Sequence, residues 1–91
     1  MSILILVAIE DELKREDLPG HQIEYIGVGK VNAAINTLNA IQKHNPKKII
    51  NFGTAGSLNT NVSGLVEVST FFQRDMDASP LGFKVGQTPF E

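Results

Sequence analysis

The chain has 91 residues, 42% hydrophobic and 20% charged, with no low-complexity run, so it reads as one ordinary globular domain at most and not as a disordered segment. A chain of this length buries only about 60–65% of the surface its unfolded form exposes, which leaves stability thin without a partner. Eight Lys+Arg against ten Asp+Glu give a formal net charge of -2 without a basic, aromatic-interleaved stripe, which argues against a nucleic-acid partner and for a small molecule.

Ser2 to Ile9 is a continuous β-branched and leucine run, the pattern of a central parallel strand covered on both faces. It is far shorter than the roughly 20 residues that span a bilayer. With no basic n-region before it and Glu10-Asp11-Glu12 directly after it, it is unlike a secretory signal. No membrane partner is expected. The absence of cysteine rules out a disulfide framework or thiolate metal site, and the expected location is the cytoplasm.

Glu10 to Asp17 carries acids first and Lys14-Arg15 later, the charge order of a helix, stopped by Pro19-Gly20. His21 to Gly27 alternates as a second strand. From Val31 the apolar positions Val31, Ala34, Ile35, Leu38 and Ile41 recur at helical spacing, and Asn45-Pro46 ends that helix. Ile49 to Gly53 is a strand that delivers the loop Gly53-Thr54-Ala55-Gly56. Strand, helix, strand implies a parallel pair with a right-handed crossover. Gly64 to Phe72 reads as a further strand, and Ala78 to Glu91, with Pro80, Gly82, Gly86 and Pro89, as mostly loop.

The loop after Ile50 is the first place to look for chemistry. Gly53 and Gly56 permit positive φ and close approach of a ligand to the backbone, and Thr54 offers a hydroxyl at a strand's carboxyl end, where open α/β sheets bind ligands. Glu10-Asp11-Glu12 puts a carboxylate at the same edge, either for general-base work or as an acidic first turn. Gly27-Val28-Gly29-Lys30 lacks the third glycine of a dinucleotide fingerprint and the spacing of a P-loop, so it reads as a tight strand-to-helix turn. His21, His44, Asp75 and Asp77 have no companions at metal-ligand spacing; neither a metal nor a cofactor is expected.

Taken in order, Ala8-Ile9-Glu10-Asp11-Glu12, Gly27-Val28-Gly29-Lys30-Val31-Asn32-Ala33-Ala34 and Asn51-Phe52-Gly53-Thr54-Ala55-Gly56 form a specific pattern. Arg74-Asp75-Met76-Asp77 and the stretch from Leu81 to Pro89 extend it. Together they resemble the N-terminal half of the nucleoside phosphorylase / nucleosidase superfamily, nearest to its 5′-methylthioadenosine/S-adenosylhomocysteine nucleosidases. The resemblance implies an α/β fold, here the N-terminal part of a phosphorylase/hydrolase-like three-layer sandwich with a mixed central sheet. Residues 1–91 would be a single, incomplete domain of that kind.

The resemblance further implies cleavage of the N-glycosidic bond of a purine nucleoside by water, in a homodimer or higher homo-oligomer. Glu12 would orient the attacking water, and Thr54, where serine is more usual, would help hold it. Ala55 and Gly56 would line the sugar and base. Leu81 and Pro89 match positions that reach into a neighbouring subunit's pocket. The family's ribose-binding Met-Glu-Met-Glu-Ala stretch and the Ser-Asp pair that protonates the base belong to a C-terminal half without counterpart here, so the chain is expected to be an inactive fragment. The connection between Glu12 and Gly27 is also shorter than in the larger nucleosidases, which have a strand pair there. Two other readings stand beside this one. One is a phosphorylase using phosphate. The other is a non-catalytic nucleoside-binding or assembly module, with Phe71, Phe72, Leu81, Phe83 and Phe90 as an apolar surface.

Overall fold

The computed structural model describes residues 2–90. In chain order it has strand β1 (Ile3–Val7), a 3-10 turn (Arg15–Asp17), strand β2 (Gln22–Tyr25), helix α1 (Lys30–His44), strand β3 (Lys48–Asn51) and a second 3-10 turn (Ser79–Leu81). The chain divides into two compact units, Met1–Gly56 and Ser57–Glu91. The first is a small α/β unit.

Its sheet has the order β2-β1-β3, and both pairings are parallel, with Ile5 opposite Ile23 on one side and Ile50 on the other. As the opening apolar run requires, β1 is central, and Leu4 and Val7 are wholly enclosed. Alternation along β1 splits the core in two. Leu4 and Leu6 pack with Ile26, Ala33 and Ala40 under α1, whereas Ile5 and Val7 pack with Ile3, Ile23, Leu13, Tyr25 and Phe52 on the opposite face. The β1–β2 and β2–β3 connections move in opposite directions across the sheet, so right-handed crossovers must cover opposite faces. That is what these two clusters record.

The segment 10–17 is not a helix. Its turn closes with the Glu12 amide donating to the Ile9 carbonyl at 3.1 Å, Lys14 is extended, and only Arg15–Asp17 winds into a 3-10 turn. Charge order was a sound local signal, but a helix this short has little stability of its own. Its polar groups are instead engaged by distant partners, as the Tyr25 hydroxyl takes the Leu13 carbonyl.

Helix α1 spans more than the apolar repeat marked out, ending on Asn45 in the left-handed conformation with its amide on the Ile41 carbonyl. Its rotation is the surprise. The large apolar stripe faces away from the sheet, with Val31 72% exposed and Ile35 and Leu38 56% each. Small residues, Ala33 and Ala40, face the strands instead. Two polar ties set that rotation: Asn36 Nδ2 donates to the Ile26 carbonyl at 2.9 Å, and His44 Nε2 donates to Glu24 Oε1 at 2.7 Å.

In the second unit no strand forms over residues 64–72, correcting the expectation of a fourth strand. β propensity measures fit to a neighbouring strand and a covered face, and Leu65, Phe71 and Phe72 are exposed. The unit is organised by turns: the Gln73 amide donates to the Gly86 carbonyl (2.7 Å) and the Gly86 amide to the Met76 carbonyl (2.6 Å). The Phe83 and Phe90 rings meet edge-on at 5.5 Å. Among the described residues no helix is long and apolar enough to cross a membrane.

Candidate active site

Because β1 and β3 are adjacent and parallel, the loops leaving their carboxyl ends emerge side by side. This is also where successive connections turn opposite ways, the position at which open α/β sheets place ligands. Glu12 comes from the first loop and Thr54 from the second. Glu12 Oε2 accepts a hydrogen bond from the Thr54 amide at 2.7 Å and another from the Thr54 hydroxyl at 2.7 Å. One carboxylate oxygen thus carries both bonds, which leaves Oε1 and the lone pairs of the threonine hydroxyl with acceptor capacity.

The Thr54 hydroxyl, and after it the Thr54 amide, hold the Glu12 carboxyl below the usual carboxylate range; partial desolvation opposes this, and the amides of Ile9 and Ala8 add to the lowering. A carboxylate so stabilised is ionised at neutral pH. It is a weak base but a dependable acceptor, suited to orienting a water molecule.

Both partners are anchored by one cluster. Leu13, next to Glu12, and Phe52, two residues before Thr54, pack against Ile5, Val7 and Ile23. Neither Gly53 nor Gly56 takes positive φ, contrary to the role first given to them. At Gly53 an added Cβ would lie 3.4 Å from Glu12 Oε2, an ordinary contact, so the position lies directly against the carboxylate. Positive φ is needed instead at Gly27 (83°) and Gly29 (94°), in the turn that leads into α1.

Ala55 and Gly56 continue the exposed loop beyond Thr54. Leu81 and Pro89 belong to the second unit, Leu81 exposed at the end of its 3-10 turn and Pro89 half-buried. A hollow of about 380 Å³ in that unit, among Thr70, Phe71, Phe72, Lys84, Gln87 and Thr88, contains no carboxylate and is not the candidate site. No group of three or more His, Asp or Glu able to hold a metal ion occurs among the described residues. Asp77 instead accepts from the Ser79 amide at 3.0 Å.

Sequence reading left Arg15 and Tyr25 without a role. The Tyr25 hydroxyl donates to the Leu13 carbonyl at 2.7 Å, and Arg15 donates to the Ile23 carbonyl from Nε (3.3 Å) and Nη2 (3.1 Å). The alternation that puts Tyr25 on the same side as Ile23 was readable, but its partner across the loop was not.

Residues 20–91 match the phosphorylase superfamily, most of the chain. The chain belongs to that superfamily. The match takes in Thr54, Ala55, Gly56, Leu81 and Pro89 and begins beyond Glu12. Within the superfamily, a 5′-methylthioadenosine/S-adenosylhomocysteine nucleosidase of Staphylococcus haemolyticus is 46% identical over 65 residues, 69% of this chain and 28% of that protein. A protein of the same name from Bacillus thuringiensis is 34% identical over 82 residues, 86% of this chain and 36% of that protein. The chain therefore spans about a third of the length of these relatives. No solved structure matches it with significance.

Proposed function

We propose that this phosphorylase-superfamily chain carries the nucleophile-orienting part of a purine-nucleoside N-glycosidase. The Glu12–Thr54 pair carries the reading. A water molecule accepted by Glu12 Oε1 and the Thr54 hydroxyl would have its oxygen lone pair free to attack C1′ of the ribose. The bond from C1′ to the base nitrogen then breaks, its electron pair leaves on the base, and the base takes up a proton while the water gives one up. Ala55 and Gly56 follow Thr54 in sequence and would line the sugar and base.

Water is favoured over phosphate because an ionised Glu12 repels a phosphate dianion. Arg15, one of the two arginines, is already engaged at the Ile23 carbonyl. Methylthioadenosine- or adenosylhomocysteine-type nucleosides are the substrates proposed, in keeping with the names of the relatives. No cofactor enters the reaction.

The complete fold proposed is the three-layer sandwich with a mixed sheet, of which residues 1–91 form one incomplete domain. These residues alone are proposed to be inactive, since the acid for the base would come from a stretch without counterpart in them. The working form is proposed to be a cytoplasmic homodimer or higher homo-oligomer, with Leu81 and Pro89 completing a neighbouring pocket. The outward apolar stripe of α1 supports assembly.

The test is base release from 5′-methylthioadenosine by the natural gene product, its intact mass measured alongside, with and without inorganic phosphate. Phosphate-independent release supports the proposal. Release that requires phosphate and yields 5-methylthioribose 1-phosphate makes the protein a phosphorylase, and binding without release makes it a non-catalytic module.

A further inference from the structure

We propose that Tyr25 and Arg15 are positioning residues for the Glu12 carboxylate, acting through the backbone of the loop between β1 and β2. The catalytic meaning of this rests on the reading of Glu12 and Thr54 given above; the positioning itself does not.

Glu12 is half-buried and lies on a connection with no helix or strand between β1 and the 3-10 turn at Arg15. Such a side chain has many rotamers and a pliable backbone to lose. Its carboxylate nevertheless meets Thr54 through two short hydrogen bonds. Something other than local structure must hold the loop.

The next residue shows what does. The Leu13 carbonyl accepts the Tyr25 hydroxyl at 2.7 Å, while the Leu13 side chain packs on Ile5, Val7 and Ile23. Two residues further on, the Arg15 guanidinium gives two hydrogen bonds to the Ile23 carbonyl and lies over the Tyr25 ring, 5.0 Å from its centre. Ile23 and Tyr25 sit on β2, paired in register with Ile5 and Val7 of β1. Residues 13–15 are thus held to β2 at the Leu13 carbonyl, the Leu13 side chain and the Arg15 guanidinium.

The tyrosine ring joins these attachments, because its hydroxyl holds the loop on one side of Glu12's neighbour and its face supports the cation that holds the other. The connection has no strand of its own, so these two side chains hold it where no backbone pairing does. Losing the Tyr25 hydroxyl frees a carbonyl one residue from Glu12, and the carboxylate loses its fixed approach to Thr54.

A purely stabilising staple would alter unfolding and leave the carboxylate as it was. The deciding measurement is therefore made at Glu12, by NMR titration of its carboxylate in the 91-residue chain, together with the Thr54 amide proton shift. Tyr25→Phe keeps the ring and its packing and removes only the hydroxyl. The expected result is an upward movement of the Glu12 titration toward the ordinary carboxylate range. It comes with loss of the downfield Thr54 amide shift, while Glu24 and Asp77 titrate as before. Arg15→Lys keeps the charge but loses the forked donor, and it should move Glu12 in the same direction; it carries the test alone if Tyr25→Phe does not fold. An unchanged Glu12 titration and Thr54 amide in folded variants overturns the proposal, even if the melting temperature falls. No turnover is needed. A shift at Glu12 in a protein whose natural form releases no base supports the positioning and overturns only the reaction.

Discussion

Glu12 and Thr54, 42 positions apart in sequence, share a single carboxylate oxygen as the acceptor of two hydrogen bonds. The hydroxyl contributes most to lowering the Glu12 pKa and the amide comes next. The pair therefore has two separable parts.

Thr54→Val deletes the hydroxyl donor and leaves the amide. The Glu12 titration should rise part of the way to the ordinary carboxylate value of about 4.3, and Thr54→Ser should leave it low. Carboxylate NMR checks both. A valine variant that titrates like the wild type would show that the amide alone holds the charge.

Glu12, Glu24 and Asp77 are all held below their ordinary values, Glu12 by Thr54 first, Glu24 by His44 first and Asp77 by Ser79 first. For a lowered folded pKa the unfolded chain binds more protons, so the stabilisation is present above about pH 4 and is lost as pH falls through the folded values. Thermal unfolding followed from pH 6 to 2.5 should show a falling melting temperature over that lower range. The fall should be shallower in Glu12→Gln and in Glu24→Gln.

Glu24 also receives Lys43 Nζ at 3.3 Å beside His44 at 2.7 Å, which ties the last turn of α1 to β2. His44→Ala should cost about 1 kcal/mol, between the worth of an exposed pair and that of a hydrogen bond to a charged group. Faster hydrogen exchange at the amides of Lys43, His44 and Asn45 should accompany it. Wild-type protection there would mean that the tie does not restrain the helix.

The rotation of α1 has its own test. Leu4 is wholly enclosed, so Leu4→Ala should cost about 2–5 kcal/mol, a large share of what a small domain has. Ile35 is on the outer stripe and 56% exposed, so Ile35→Ala in the monomeric chain should stay within about 0.5 kcal/mol. Urea unfolding of the two variants measures the contrast. Equal losses would mean that the apolar stripe faces the strands after all.

Much of this was legible in the residues. The run from Ser2 to Ile9 read as a strand buried on both faces, of which Ile3–Val7 is the strand that forms, and the repeat from Val31 to Ile41 with Asn45-Pro46 after it read as a helix with its stop. The carboxylate at Glu12 and the hydroxyl at Thr54 were readable as neighbours of one sheet edge, and the ordered motifs as those of the superfamily. Periodicity also misled. An apolar stripe marks a side of α1 that needs cover without saying what covers it, and the charge order of 10–17 and the β-branched run of 64–72 are local preferences whose long-range partners decide the outcome.

By itself, then, the sequence determined the central strand, the helix and its end, the family, and which residue types stand at the carboxyl edge. Only the tertiary structure decided which face of α1 meets the sheet, that the β1–β2 connection is a pinned loop, and that Glu12 touches Thr54 through one oxygen. The physical reason is distance along the chain. Strands and helices follow from spacing among near neighbours, whereas Asn36 to Ile26, His44 to Glu24, Tyr25 to Leu13 and Thr54 to Glu12 are directional bonds between residues that only the folded sheet brings within reach.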